Sequence, residues 1–357
     1  MRTLYNEISL ILDKVNFDCL WKGFKRLNFA LYNDEEVYLK DCVIPKDNRF
    51  MGNTSIKFND EYIAIWNVGD PNEVNPQILA SKIVHEMFHG FQYINEECRF
   101  PNLFQLLDYP NNLRNYQLRH YENQLLVEAF KETDLNEKTN LLKEFFSIRK
   151  SRENLIGNII NCEYLTETQE GLAEYIGTKA LKQISLSLYE ERTNEYLDML
   201  SNFNEHSFDI RRMGYFIGTI LFLTLEDAQI NFYHDIKGCT ETAYELVTKN
   251  LVINELENPI KSDNIVFQAF NDYMVKKEKL FDDFLKNSSE PVKGNFLYYG
   301  SDPMNTYKLN NFIISKYFAI LRNSDTNEDT YFYEAVMFEL ESDSSMKVVS
   351  YRKELNK

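Results

Sequence analysis

The sequence predicts an α+β fold: an N-terminal sheet region over 1–70, antiparallel or mixed, a mainly helical region over 71–288 and a C-terminal β-rich segment over 289–357. Three observations predict it. Aromatic and β-branched runs separated by polar turns crowd both ends of the chain, as strands do. Apolar residues recur at helical spacing through the middle. Punctuation at Asn75-Pro76 and again at Ser288, Ser289, Glu290 and Pro291 marks where one pattern gives way to the other.

Taken in order, a short N-terminal helix precedes the strands NFALYN, EVYLKDCVI, TSIKFN and EYIAIWNV. Asn75 then offers a helix cap and Pro76 a first helical residue, so a long helix runs from there to about Asn95. Further helices are expected near 115–132, 136–150, 154–182, 189–201, 211–228, 240–251 and 264–286. The strands NFLYYG, FIISKYFAILR, TYFYEAVMFELE and MKVVSY close the chain.

Composition narrows the function. The 357 residues are 44% hydrophobic and 26% charged, enough for a full core, while 12 Gly, 8 Pro and 14% aromatics exclude collagen-like and disordered readings. Acidic residues outnumber basic ones 55 to 39, and the resulting net charge of -16 argues against nucleic acid and anionic membranes as partners. Cys19, Cys42, Cys98, Cys162 and Cys239 are scattered and form no CxxC pair, which fits a reducing compartment better than a disulfide framework. Glu7, Asp13 and Lys14 interrupt the first apolar run, and the longest later one, Tyr215 to Leu225, is too short to span a bilayer. The expectation is a cytoplasmic chain without a leader or membrane partner; its oligomeric state is not readable.

Residues 85–89 read HEMFH, an HExxH segment, and fall in the middle of the helix that starts at Pro76. Histidines four apart lie one above the other on a helix face, so His85 and His89 can reach one cation, with Glu86 beside them. A zinc ion there would polarise a carbonyl and acidify water while Glu86 acts as general base, the chemistry that peptide hydrolysis needs. In a chain with five His, a chance match is expected in roughly one sequence in a hundred or fewer. Leu79, Ile83, Val84, Met87, Phe88, Phe91 and Ile94 spread nearly all round the helix, so it should be buried on most sides. Two imidazoles and a carboxylate there need strong partners, which a metal supplies.

A third protein ligand must come from downstream. The metzincin extension is missing, since Gln92 and Asn95 stand where that family has Gly and His. Glu163, Glu167, Glu170 and Glu174 form a carboxylate stripe opposite Leu165, Leu172, Ile176 and Ala180; alone, such a stripe reads as a solvated face. Combined with HExxH, the segment Glu170-Gly171-Leu172-Ala173-Glu174-Tyr175 resembles the EGxAxY pattern of the gluzincin, or peptidase MA-like, zinc metallopeptidases.

The resemblance covers mainly residues 55–225. It implies His85, His89 and Glu170 as zinc ligands, Glu86 as base, Glu174 as the carboxylate that orients a ligand imidazole, and Gly171 as a point of close backbone approach. The third ligand lies 81 positions past the second histidine (170 minus 89), farther than in well-known members; a helical insertion near 112–150 would explain this, and Glu163 and Glu167 stay open as ligands. RRMGYFIGTILFL resembles a helix that follows EGxAxY in related families, which makes Tyr215 the candidate oxyanion donor, with His206, His234 and Arg212 as alternatives and His120 structural. EYIAIWNV reads either as the cleft's edge, pairing with extended peptide, or as an internal strand. No GxMEN-type motif supports an aminopeptidase. The expected activity is zinc-dependent cleavage of a peptide or protein substrate; the alternatives are hydrolysis of a non-peptide amide and a non-catalytic peptide- or protein-binding relic of such a fold.

Overall fold

A computed structural model of the chain describes residues 1–249, 251–253, 263–302 and 304–355. Helix α1 (Arg2–Leu12) buries Leu4, Tyr5, Ile8 and Leu12 on one face, and a single turn, α2 (Phe17–Leu20), follows under an Asn16 cap. The first sheet contains β1 (Asn28–Tyr32), β2 (Glu36–Tyr38), β3 (Val43–Pro45), β4 (Thr54–Phe58) and β5 (Glu61–Asn67) in the order β3-β2-β1-β5-β4. It is mixed: β1 runs parallel to β5, and every other pair is antiparallel. Strand β5 is therefore internal and does not form the cleft's edge. That place belongs to β4, one side of which pairs with β5.

Helix α3 (Pro76–Ile94) begins where its cap predicts, with the Asn75 side chain accepting from the Gln77 and Ile78 amides. Its burial is unbroken from Ile83 to Gly90 and fades at the C-terminal end, where Ile94 is exposed. The helical body continues through α4 (Leu103–Leu106), α5 (Leu113–Lys131), α6 (Leu135–Ile156), α7 (Asn161–Thr166), α8 (Leu172–Ile184), α9 (Leu186–Ser201), α10 (Ile210–Asp227), α11 (Ala243–Thr248) and α12 (Asn264–Lys286). The helix expected over 154–182 is broken twice. Gly157, at φ 68, ends α6 and opens a 3-10 turn, and a π turn over Glu167–Gly171 separates α7 from α8. The helix expected over 240–251 contracts to α11, and residue 250 lies outside the described residues.

The C-terminal sheet contains β6 (Val292–Ser301), β7 (Thr306–Leu309), β8 (Phe312–Ser315), β9 (Ala319–Asn323), β10 (Asp329–Phe332), β11 (Val336–Leu340) and β12 (Lys347–Lys353). It is antiparallel throughout, in the order β10-β9-β6-β12-β11-β8-β7. Two runs expected as single strands, FIISKYFAILR and TYFYEAVMFELE, each split into two strands that are not neighbours in the sheet.

One large apolar cluster runs from Leu4 to Val247, so the first sheet, α3 and the helical body share a core with no break at residue 70. The C-terminal sheet has its own cluster around Tyr298, Phe332, Phe338 and Val348, against which Phe104 and Leu107 pack. Phe281 and Phe284 of α12 interlock with Ile314 and Met337, and Lys308 pairs with Asp108, so this sheet is fastened to the helical body. Among the described residues no helix is long and apolar enough to cross a membrane.

Candidate metal centre

Helix α3 lies on the sheet and is held from the other side by α8. A Cβ at Gly177 of α8 would stand 2.9 Å from the Ser81 carbonyl oxygen and 3.2 Å from His85 Cβ, closer than ordinary packing allows. The missing side chain therefore sets how near α8 comes to the two histidines. A second close crossing lies next to it. A Cβ at Gly171 would fall 2.7 Å from Gly218 Cα and 2.9 Å from the Gly214 oxygen, so α10 meets the π turn backbone to backbone, as the Gly171 reading anticipates.

These crossings bring His85, His89 and Glu170 together, with ligand atoms all within 4.8 Å of one another and all three residues buried. His89 Nε2 lies 3.1 Å from His85 Nε2 and 3.2 Å from Glu170 Oε2, and the His85-to-Glu170 separation is 3.8 Å. The other ring nitrogens are engaged. His85 Nδ1 is 2.8 Å from Glu174 Oε2, and His89 Nδ1 is 2.8 Å from Gln92 Oε1. Both partners can accept, so with a metal bound each Nδ1 would keep its proton and each Nε2 would be free to ligate at the same point. Two Nε2 atoms and a carboxylate oxygen meeting in a buried site call for a cation among them, and two imidazoles with a carboxylate are a donor set suited to zinc.

Without a metal, protons take up that role. Burial disfavours a charge on His85, yet the Glu170 and Glu174 carboxylates outweigh it and raise its pKa to about 10. Burial likewise opposes ionised Glu170 and Glu174, but His89, His85 and Arg211 keep Glu170 well below the carboxylate range, and His85 with Arg192 and Tyr196 keeps Glu174 at about 2. Glu86 differs. Its carboxylate accepts no hydrogen bond among the described residues, and burial, only partly offset by His85 and His89, raises its pKa. It lines the cavity at 8% exposure, a carboxylate poised to take a proton.

Glu163 and Glu167, both open as ligands on sequence, are committed elsewhere. Arg149 holds Glu167 through two hydrogen bonds of 2.5 and 2.6 Å, while Arg152 and the Tyr109 hydroxyl each reach Glu163 at 2.5 Å. Glu122 completes this buried network at 2.6 Å from Arg152. The π turn divides the stripe. Three residues of α-helix would set Glu167 and Glu170 about 60° apart, whereas π winding at about 4.4 residues per turn opens the angle to about 115°. Glu163 and Glu167 thus face the arginines, and Glu170 with Glu174 faces α3; none of the first three is the solvated face that the stripe alone suggests.

The cavity over the histidines has a volume of about 710 Å³. Trp66, Lys82, Tyr93, Tyr196, Tyr215 and Phe216 contribute to its walls, and Asn53 and Thr54 bring the β4 edge to its rim. Tyr215 stacks on His85, with ring centres 5.8 Å apart and planes 4° from parallel. Burial raises its phenol pKa, so the hydroxyl stays protonated and able to donate. Of the alternatives, Arg212 lines the cavity; His206 lines a neighbouring one, with Nδ1 3.0 Å from Arg212 Nη1. His234 and His120 are packed away from it, against Trp21 and Phe203.

Three contributors escaped the sequence reading. Arg211 donates to Glu170 Oε1 at 2.8 Å and reaches the Tyr215 hydroxyl at 3.4 Å. Its four-residue spacing from Tyr215 on α10 was a signal. Gln92, noted only for not being Gly, lies three residues after His89 and orients that ring. Tyr196 donates to Glu174, and no local pattern announces that contact. Comparison with known proteins finds no match: no family model, no curated protein and no solved structure resembles the chain closely enough to identify it.

Proposed function

We propose that this chain is a zinc-dependent peptide hydrolase of gluzincin type, in which His85, His89 and Glu170 hold the ion and Glu86 is the general base. The observation that carries the reading is the convergence of two Nε2 atoms and one carboxylate oxygen, with both Nδ1 atoms already engaged. Bound zinc supplies Lewis acidity toward a carbonyl and toward water.

The chain's own residues supply the rest. Glu86 takes a proton from water and returns it to the departing amine, a task suited to a carboxylate whose pKa burial has raised. The Tyr215 hydroxyl, held protonated, and the Arg211 guanidinium line the same wall and donate to the oxyanion that develops at the carbonyl carbon. Glu174 and Gln92 fix the two imidazoles. An extended peptide along the β4 edge would gain main-chain hydrogen bonds without demanding a sequence.

The test is zinc content and turnover in parallel. Wild type is expected to hold one zinc per chain and to cleave members of a broad peptide library. Glu86→Gln should keep the zinc and lose roughly a hundredfold or more of the turnover. Zinc without cleavage of any member would point to the binding relic, and equal turnover by the Gln variant would remove Glu86 from the mechanism.

A further inference from the structure

The cleft continues beyond the metal centre. A second cavity of about 300 Å³ adjoins it, and Arg211, Arg212 and Met304 stand in the walls of both. This trough lies between the start of α10, the middle of α12 and strand β7, so the C-terminal sheet forms one of its sides.

Most charges in its walls are matched within the protein. Arg212 has Asp209 at 3.5 Å, Glu205 has Lys276 at 3.1 Å, and Lys308 lies between Asp108 and Asp343. Lys277 is the exception. Among the described residues it has no carboxylate partner, and its ammonium sits 5.7 Å from the centre of the Tyr273 ring. Burial and the nearby charge of Lys308 lower its pKa to about 8. A half-buried ammonium without a counter-charge is costly to hold, and in a chain of net charge -16 it runs against the general sign of the surface. An anionic group entering the trough would supply the missing partner.

We propose that the trough is a subsite for a carboxylate of the peptide substrate, held by the Lys277 ammonium. The substrates are then acidic peptides, or peptides that present a free C-terminal carboxylate there. This rests on the peptide-hydrolase reading of the metal centre, because the shared wall of Arg211, Arg212 and Met304 is what lets one extended chain occupy both cavities.

The experiment separates binding from turnover. Zinc-loaded Glu86→Gln protein is titrated by fluorescence anisotropy with labelled peptides of one sequence, in which Glu replaces Gln at each position in turn, each with a free or an amidated C-terminus. At least one carboxylate-bearing peptide is expected to bind about tenfold tighter than its neutral counterpart, a difference of about 1.4 kcal/mol. Lys277→Met in that background should abolish the preference, and Lys277→Glu should turn it toward peptides carrying Lys at the same position. Loss of the preference on amidation assigns the C-terminal carboxylate; its survival assigns a side chain.

Equal binding of charged and neutral peptides, or a preference that both Lys277 variants retain, overturns the subsite. Wild-type cleavage of neutral and acidic peptides alike would overturn it and leave the hydrolase reading intact. Lys277-dependent binding by a wild-type chain that cleaves none of the peptides would support the subsite and overturn the hydrolase reading.

Discussion

Glu174 Oε2 lies 2.8 Å from His85 Nδ1, while the other oxygen of the same carboxylate accepts from the Tyr196 hydroxyl and lies 3.8 Å from Arg192. The carboxylate is tied on both sides, so it fixes the tilt of the ring whose Nε2 faces His89 and Glu170. Replacing Glu174 by Gln should weaken zinc binding by roughly 10- to 100-fold while leaving Glu170 and His89 in place. Competition titration against a chelator measures this, and an unchanged affinity would mean that the contact orients nothing.

Glu170 and Glu167 lie three residues apart and should respond in opposite ways. Glu170→Ala is expected to lose zinc. Glu167→Ala should keep it and lose on the order of 3–5 kcal/mol of stability, because Arg149 is left charged and buried. Metal analysis and urea unfolding of both variants decide between this division and a shared ligand role.

The close crossing of α10 on the π turn allows no side chain. A Cβ at position 218 would stand 2.6 Å from Gly171 Cα, so Gly218→Ala should cost about 1–3 kcal/mol and weaken zinc binding by displacing Glu170. Gly69→Ala, where a Cβ meets nothing within 4 Å, should stay within about 0.5 kcal/mol of wild type. Equal unfolding midpoints for the two variants would show that the crossing yields easily.

Acid should act through Glu163. Burial opposes its charge, but Arg152, Arg119 and the Tyr109 hydroxyl outweigh burial and lower its pKa from 4.5 to about 2. A carboxyl with a depressed folded value stabilises the fold above its unfolded pKa, and that contribution, on the order of 3 kcal/mol, is lost as pH falls from about 5 to about 2. Urea midpoints of Glu163→Gln should be lower than wild type at neutral pH and flatter across the acid range. Parallel profiles would contradict this.

Much of the centre was legible because its signals are local. The Asn75 cap, Pro76 and the HExxH spacing lie on one continuous helix, so position along the chain translates directly into direction in space. Glu170 could be named from EGLAEY, but its separation from Glu163 and Glu167 could not, because a π turn leaves no periodicity mark and all four carboxylates share one stripe in ideal helix projection. The internal place of β5 was equally hidden. It depends on which strands flank β5, and apolar composition suits either position. Gly157 was visible and unread, a left-handed residue ending a helix that periodicity alone carried through.

The arginine network beneath the π turn bears on how the proposed centre would take up and release an ion. Arg149, Arg152 and Arg119 are each at most 2% exposed, and with Glu122, Glu163 and Glu167 they brace the turn through contacts that involve none of His85, His89 and Glu170. The scaffold behind Glu170 is thus complete before any ion arrives. Chelation should empty the centre without melting the chain, and zinc added back should restore occupancy at the pace of diffusion and ligand deprotonation, with no refolding delay.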